Sequence, residues 1–150
     1  MKVKIKKLHP AAIVPTYGTS GAACFDLYAL DVNGYKHLGR HIDEYEPVLC
    51  RTGLAFEVPE GHVMMVYSRS GHGFKYDTRL SNCVGVIDSD YRGEIMVKLT
   101  YDGAEDGPFI EPGDRIAQAM IVPVNQVSFD VVDELSDTDR GEVGFGSTGK

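Results

Sequence analysis

The glycine-rich end of the chain, residues 140–149, reads RGEVGFGSTG and holds residue types that suit a phosphate group. Glycines let backbone amides approach phosphate oxygens, Ser147 and Thr148 add hydroxyl donors, and Arg140 can fork onto an anionic oxygen. The stretch lacks the GxxxxGK[ST] pattern of a P-loop, and a glycine-rich terminus alone is more often disordered. Phe145 favours a phosphate clamp, because an aromatic ring in a polar tail has no core to join and a planar ligand would cover it.

Two other polar segments follow apolar runs. Residues 68–71 read SRSG and come directly after the run that ends at Tyr67. A short helix beginning there would offer free backbone amides to a phosphate, although a serine-rich turn fits equally well. Asp88 follows the apolar run 84–87, which we expect to be buried, so its carboxylate needs a partner or a task such as deprotonating a water. A turn-forming aspartate is the alternative.

Asp26 raises the same question, because it lies between two apolar residues in a predicted strand. It could contribute to a magnesium site, since Mg²⁺ keeps several waters and takes one or two carboxylates together with substrate phosphates. The five histidines are scattered, and we expect surface or loop positions for them. The three cysteines are widely spaced without a CxxC pair, which indicates reduced thiols in a cytosol-like compartment.

The elements that must position these residues are strands. Short apolar runs separated by glycine, proline and aspartate predict an all-β domain, because no segment keeps helical periodicity beyond about two turns. The expected strands span residues 3–8, 24–29, 48–58, 62–67, 94–101, 116–122 and 127–132. Turn residues mark 59–61, 102–103 and 111–114, and one short helix is expected between residue 71 and about residue 80. The segment 31–46 is the least regular and predicts a loop or an irregular hairpin.

Composition narrows the class of protein. A chain of 150 residues predicts one domain, and a formal net charge of -7 argues against unspecific binding to nucleic acid or an acidic membrane. The basic cluster near the N-terminus alternates lysines with apolar residues, as in a half-buried strand with a solvated lysine face. The sequence shows neither a signal-peptide pattern nor about 18 continuous apolar residues. We therefore expect a cytoplasmic protein that binds neither nucleic acid nor membranes.

Five sequence blocks occur in order from residue 19 onward: TSGAACFDLYA (19–29), SRSGHGFK (68–75), NCVGVIDSDYRGEI (82–95), PGDRIAQ (112–118) and RGEVGFGSTG (140–149). Together they resemble the trimeric dUTP diphosphatase (dUTPase) family. The resemblance implies a jelly-roll-like, distorted β-barrel of the β-clip type, with a barrel domain at 1–134 and a flexible arm at 135–150. It also implies a homotrimer with shared active sites that hydrolyses dUTP to dUMP and pyrophosphate with Mg²⁺.

The resemblance assigns roles to individual residues. Asp88 resembles the carboxylate that activates the attacking water, Tyr91 looks like the residue packed against the deoxyribose, and Asp26 is similar to the acid that holds waters of the bound Mg²⁺. The implied uracil pocket comprises Asn82, Gly85, Met96 and the backbone of the hairpin 82–96, and the implied phosphate contacts are Arg69, Ser70, Gly71 and Gln118. In the arm, Arg140 would contact the γ-phosphate, Phe145 would stack on uracil, and Gly146, Ser147 and Thr148 would clamp the outer phosphates.

Some positions depart from the family pattern. Cys24 stands where glycine is common and Ser68 where proline is common, and the segment 34–46 looks longer than usual. The related dCTP deaminase family has a similar central block but uses a glutamate in the next strand, where this chain has Lys98. That difference argues against deamination. A catalytically silent nucleotide-binding or partner-binding trimer is the other alternative, and the presence of all the expected catalytic side chains argues against it.

Overall fold

A computed structural model describes residues 1–34, 39–42, 46–103 and 107–144, and these residues form strands with one short helix. The strands are β1 (Lys4–Lys7), β2 (Thr16–Tyr17), β3 (Phe25–Tyr28), β4 (Asp31–Val32), β5 (Arg40–His41), β6 (Val48–Arg51), β7 (Leu54–Glu57), β8 (His62–Tyr67), β9 (Thr78–Leu80), β10 (Val84–Ile87), β11 (Met96–Tyr101), β12 (Phe109–Ile110) and β13 (Arg115–Pro123). The helix α1 (Ser70–Tyr76) lies where the sequence predicts it. In this described part, no helix is long and apolar enough to cross a membrane.

The strands pair antiparallel in two larger sheets and two small ribbons. A five-stranded sheet has the order β10-β8-β13-β3-β2, and a four-stranded sheet has the order β4-β6-β11-β9. The ribbons are β1-β7 and β12-β5. This arrangement confirms the all-β expectation and its jelly-roll-like form.

The core lies on the inner faces of these strands, and period-two alternation selects its members. In β6 and β11 buried and exposed residues alternate, and Leu27 of β3 and Leu99 of β11 are at most 1% exposed. Each such side chain contributes about 1.5–3 kcal/mol relative to exposure. At the N-terminus Val3 and Ile5 pack against this core while the lysines of β1 face solvent, as predicted.

The predicted strand 48–58 is wrong as a single element. It divides into β6 and β7 at Thr52 and Gly53, because Gly53 has a φ of 69°, which extended backbone does not allow. A Cβ at Gly53 would also lie 2.7 Å from a methyl carbon of Leu30. The break lets Thr52 turn inward, where its hydroxyl donates to the Ile95 carbonyl oxygen at 2.7 Å.

The predicted strand 127–132 is also wrong, because residues 124–132 have no strand pairing. Apolar and polar residues alternate there in the sequence, but Val127, Phe129 and Val131 are 67%, 90% and 95% exposed. A strand needs a ladder partner as well as a pattern. Within the described residues of one chain this segment has neither a ladder partner nor an apolar surface covering it.

The predicted irregular segment 31–46 contains two short strands. β4 pairs with β6, and β5 pairs with β12 so that Phe109 lies opposite His41. The two rings are 5.1 Å apart in an edge-on arrangement. Residues 35–38 and 43–45 lie outside the described residues.

Candidate active site

Three neighbouring strands of the five-stranded sheet place polar residues in one row. Gln118 of β13 lies opposite Asp26 of β3 on one side and Tyr67 of β8 on the other. The chain leaves β8 at Tyr67 and enters the segment 68–71. Gln118 Nε2 donates to the Ser68 carbonyl oxygen at 3.0 Å and so fixes the start of that segment. The sheet register therefore brings three of the sequence blocks together.

Asp26 is the carboxylate on which two arginines converge. Its Oδ1 lies 3.6 Å from Arg69 Nε, and its Oδ2 lies 3.3 Å from Arg115 Nη1. The Asp26 side chain is only 15% exposed, so the two guanidiniums compensate its desolvation. Arg69 Nη1 also donates to the Arg115 carbonyl oxygen at 3.0 Å. The three side chains carry net positive charge, which suits an anionic ligand.

Arg115 is a site residue that the sequence analysis did not single out. It lies within the block PGDRIAQ, but its block alone does not say where its side chain points. The antiparallel pairing of β13 with β3 sets Arg115 beside Tyr28, and a shift in register follows directly. That irregularity is a property of the sheet, which the spacing of apolar residues does not encode.

His72 supports Arg69 from the helix. Its Nε2 accepts from Arg69 Nη1 at 3.3 Å, since a guanidinium can only donate. Burial lowers the pKa of His72, and the positive charge of Arg69 lowers it further. The half-buried imidazole lies on a helix that has no buried residue, so this histidine lies at the surface as expected but not in a loop.

Ser68 connects the segment 68–71, which holds candidate phosphate contacts, to strand β9. Its hydroxyl accepts a hydrogen bond from the Leu80 amide at 2.9 Å. Ser70 and Gly71 open α1, whose first amides have no acceptor within the helix. The expected stiffening proline is absent at position 68, and this hydrogen bond ties the backbone to β9 instead.

A cleft opens where β10 and β11 separate. β10 is an edge strand of the five-stranded sheet, whereas β11 lies inside the four-stranded sheet. The cleft volume is about 310 Å³, and Asn82, Gly85 and Met96 line it together with Lys98. A Cβ at Gly85 would lie 3.1 Å from Val66 Cβ and 3.8 Å from Asn82 Nδ2. Because Gly85 has no side chain, β10 can form this wall of the cleft in close contact with Val66 of β8.

The flanking strands correct two expectations. The run 84–87 is not buried, because Val84 and Val86 are 37% and 59% exposed and only Gly85 is buried. At the sheet edge the side chain of Val86 lines the cleft instead of the core. The segment 82–96 is not a ladder-paired hairpin either, since β10 pairs with β8 and β11 pairs with β6 and β9. Residues 88–95 form a connection between two sheets, which we call the 88–95 connection.

Asp88 and Tyr91 lie on this connection and line an adjoining cavity of about 210 Å³. The two cavities are adjacent, because Val86, Ile87, Ile95 and Met96 line both of them. The Asp88 carbonyl oxygen accepts from the Tyr91 amide at 3.2 Å, which closes a turn. Both side chains are exposed toward solvent.

Within one chain, the described members of the predicted site lie in three separate places. The cavity beside Arg69, of about 440 Å³, shares no lining residue with the cleft of Asp88. Arg140 lies in a third place, an exposed turn of the C-terminal segment, where its Nε donates to the Val143 carbonyl oxygen at 3.0 Å. Phe145, Gly146, Ser147 and Thr148 lie outside the described residues.

Comparison with known proteins decides the family. The family model described as dUTPase matches residues 11–149. The chain belongs to the dUTPase family. The deoxyuridine 5'-triphosphate nucleotidohydrolase of Nautilia profundicola is 46% identical over all 150 residues, with both chains covered completely. The corresponding protein of Wolinella succinogenes is 42% identical, with 100% of this chain and 95% of that protein covered.

Solved dUTPase structures share the fold. A mutant dUTPase of Staphylococcus bacteriophage 80alpha with dUpNHpp superposes with a TM-score of 0.83 at 25% identity, over 99% of each chain. A mutant dUTPase from phage phi11 of S. aureus, whose structure describes the coordination of a structural Mg(II) ion, is 21% identical. Its TM-score is 0.75 over 89% of this chain and 98% of that chain, and it speaks for the fold alone. The β-clip fold implied by the sequence blocks is therefore confirmed for this dUTPase.

The part of this dUTPase that the structure describes offers few side chains that could hold a metal directly. Among the described residues no three His, Cys, Asp or Glu side chains group as metal ligands. Asp26 is the candidate carboxylate, and both of its oxygens face arginines. Such a site fits Mg²⁺ only if water and phosphate oxygens fill most of the coordination shell, which is the arrangement that Mg²⁺ commonly adopts with nucleotides.

Proposed function

We propose that this dUTPase binds uracil and deoxyribose in the cleft between β10 and β11 and hydrolyses dUTP there, with Asp88 as the general base. The observation that carries the proposal is that the cleft beside the edge of β10 adjoins the cavity lined by Asp88 and Tyr91. The reaction yields dUMP and pyrophosphate. As a family member the chain is a dUTP diphosphatase.

The edge of β10 would read the base. An unpaired strand edge presents alternating N–H and C=O groups, and uracil offers both an N–H and carbonyl oxygens to them. The Asn82 side chain, which lines the same cleft, adds an amide. Gly85 keeps this wall close to Val66, and Met96 closes the opposite side. With these two walls in place, the cleft would reject the methyl group of thymine.

Tyr91 would select the sugar. Its ring packs over Gly93, and its hydroxyl donates to the Glu94 carbonyl oxygen at 3.3 Å. In this position the ring would contact the deoxyribose and leave no room for a 2'-hydroxyl. The selectivity is steric, so we expect it to be sensitive to small displacements of the ring.

The α-phosphorus would be attacked by a water that Asp88 orients. Asp88 accepts the water proton while the oxygen forms a bond to the α-phosphorus and the bond to the bridging oxygen breaks. Pyrophosphate then leaves with the electron pair. General base catalysis of this kind typically contributes about 10²–10⁴-fold.

The leaving pyrophosphate needs positive charge and fixed donors. Arg69, Ser70, Gly71 and Gln118 are the proposed phosphate contacts, and Arg115 adds a second guanidinium beside Arg69. Donors aimed at the charge that develops in the transition state stabilise it. Bound Mg²⁺ would supply further charge neutralisation to the phosphates, with Asp26 holding its water ligands.

A trimer would bring the separate groups together. One chain leaves the phosphate-binding group and the Asp88 cleft without a shared lining residue. It also leaves Val127, Phe129 and Val131 exposed in a segment with strand-like alternation. Burial against a neighbouring subunit would remove this apolar surface from water. We propose a homotrimer whose active sites are shared between subunits.

The segment 135–150 would act as the arm that closes a site. The arm would bring Arg140 to the γ-phosphate, stack Phe145 on uracil, and set Gly146, Ser147 and Thr148 against the outer phosphates. The exposure of residues 135–144 is consistent with an arm that gains its contacts only when substrate is bound.

The product profile with dUTP, dCTP, dTTP and UTP tests the activity. We expect pyrophosphate release from dUTP with Mg²⁺ and little from the other three. Asp88→Asn should lower kcat by about 10²–10⁴-fold while nucleotide binding is retained. Ammonia released from dCTP, or dUTP left intact by wild-type trimer, would contradict the proposal.

Truncation before Arg140 tests the arm separately. The truncated chain should still form a folded trimer, because the barrel core excludes the arm. Its turnover should fall strongly, since the γ-phosphate and base lose their covering contacts. Unchanged turnover would remove the closing role from the arm.

A further inference from the structure

Asp31 is a buried carboxylate that the proposed reaction does not use. It lies on β4, is fully buried, and neither of its side-chain oxygens has a hydrogen-bond partner among the described residues. The nearest cationic atom is Arg51 Nη1, 3.6 Å from Oδ2. Arg51 lies directly opposite Asp31 in the pairing of β4 with β6. An isolated buried charge is costly, so the Asp31 carboxylate favours a position of the Arg51 guanidinium close to it. Asp31 thereby helps to hold Arg51 in place.

The other edge of Arg51 binds Glu94. Its Nε and Nη2 lie 3.0 and 2.9 Å from Glu94 Oε2. Glu94 Oε1 accepts a further hydrogen bond from the Gly53 amide at 2.7 Å. Since the Glu94 side chain is only 14% exposed, these bonds are screened less than those of a surface pair. Both carboxylate oxygens of Glu94 therefore bind groups at the break between β6 and β7, one the Arg51 guanidinium and the other the Gly53 amide.

Glu94 belongs to the 88–95 connection, which carries Asp88 and Tyr91. The next residue, Ile95, donates its amide to the Leu54 carbonyl oxygen at 2.9 Å, so the end of the connection is anchored to the same break. The Glu94 carbonyl oxygen is the acceptor for the Tyr91 hydroxyl at 3.3 Å. The position of the Tyr91 ring thus depends on where the Glu94 backbone lies.

We propose that Arg51 and Glu94, backed by Asp31, are positioning residues that set Tyr91, and with it the choice of deoxyribose over ribose. The proposal rests on the function proposed above and deepens it. None of the three side chains needs to touch the substrate. They act by fixing one end of the connection to the core, whereas Arg92 closes its turn through the Ser89 and Tyr91 carbonyl oxygens.

Two variants test this network. Glu94→Gln leaves one oxygen, which can accept from the Gly53 amide or from Arg51 but supplies no charge. Arg51→Lys keeps a positive charge near Asp31 and loses the forked contact. In both variants we expect the ratio of kcat/KM for dUTP over that for UTP to fall by at least about tenfold.

The matched control is a variant that breaks a different Arg–carboxylate pair, in which two guanidinium nitrogens also bind one carboxylate. Arg79 binds Asp102 with its Nε and Nη2 at 2.6 and 3.0 Å, at the far end of β9 and β11. Asp102→Asn should leave the dUTP-over-UTP ratio unchanged. Thermal unfolding is measured for all variants, because a merely structural role would lower stability without moving this ratio.

The outcomes separate the two proposals. Wild-type protein that does not hydrolyse dUTP would overturn the proposed function. Active wild-type protein, together with Glu94→Gln and Arg51→Lys variants that keep its full sugar selectivity, would overturn only the positioning role. If the variants lose activity equally on dUTP and UTP, the network supports folding or catalysis in general and the inference of a selectivity role also fails.

Discussion

Replacing Gly93 with alanine tests whether the Tyr91 ring excludes ribose. A Cβ at Gly93 would lie 2.9 Å from Cε2 of Tyr91 and closer still to Cζ and the hydroxyl oxygen. Carbon atoms in favourable contact are about 3.5–4.0 Å apart, so the ring must move by roughly 1 Å at its hydroxyl end. Tyr91 is 43% exposed, so the ring can swing toward solvent at little cost to the fold.

The expected loss is one of selectivity. A pocket that rejects an extra hydroxyl by packing alone discriminates by about 10²-fold, which corresponds to about 2.8 kcal/mol. A displacement of roughly 1 Å is enough to remove most of such an effect. We therefore expect Gly93→Ala to lower the kcat/KM ratio of dUTP over UTP by about tenfold or more. The rise in UTP hydrolysis should account for much of the change.

The assay is steady-state pyrophosphate release with each nucleotide, and Gly103→Ala is its control. A Cβ at Gly103 would lie 2.7 Å from Cε2 of Tyr101 and closer to Cζ and the hydroxyl oxygen, so the local clash is of the same kind. Tyr101 is only 8% exposed and does not line the cleft. This variant should lose thermal stability and keep its sugar selectivity.

An unchanged dUTP-over-UTP ratio in active Gly93→Ala protein would refute the steric role of Tyr91. An equal fall in Gly103→Ala would show that selectivity follows general loosening of the barrel. Either result would also remove the reason for assigning Arg51 and Glu94 to sugar selection.

Three further predictions concern stability and its pH dependence. Ser68→Ala leaves the Leu80 amide without its acceptor, so we expect a loss of about 1–3 kcal/mol in chemical denaturation; an unchanged midpoint would contradict it. Burial raises the pKa of the Cys50 thiol from 9.0 to about 12. The stability that the neutral thiol contributes to the fold is therefore present below pH 9 and is lost as the pH rises toward 12. Cys50→Ala should flatten that alkaline decline in urea titrations. The pKa of His72 is lowered in the fold, so the neutral imidazole contributes stability above pH 6.5 that is lost as the pH falls through the folded-state pKa. His72→Gln can still accept from Arg69, so this variant should lose less stability than the wild type on acidification in urea titrations.

Local pattern predicted the strands that bury one face. The alternation in 94–101 and 24–29 is a property of neighbouring residues, and β11 and β3 appear where it indicates. The same criterion failed at 48–58, since a positive φ at Gly53 interrupts an apolar run without changing its pattern. It failed at 127–132 for another reason, because strand formation there requires a partner, and the described residues of one chain supply none.

The sequence by itself determined the family and the composition of the candidate site, because five blocks of polar and glycine residues at fixed order carry that information locally. The tertiary structure alone decided which of these residues meet. The register of β13 sets Gln118 beside Asp26, and it brings in Arg115, whose sequence block did not show where its side chain lies. Register depends on pairings between residues far apart in the chain, such as Asp26 and Gln118, and period-two alternation does not encode those pairings. The partnership of Asp31, Arg51 and Glu94 likewise exists only once three separate strands and connections have been folded together.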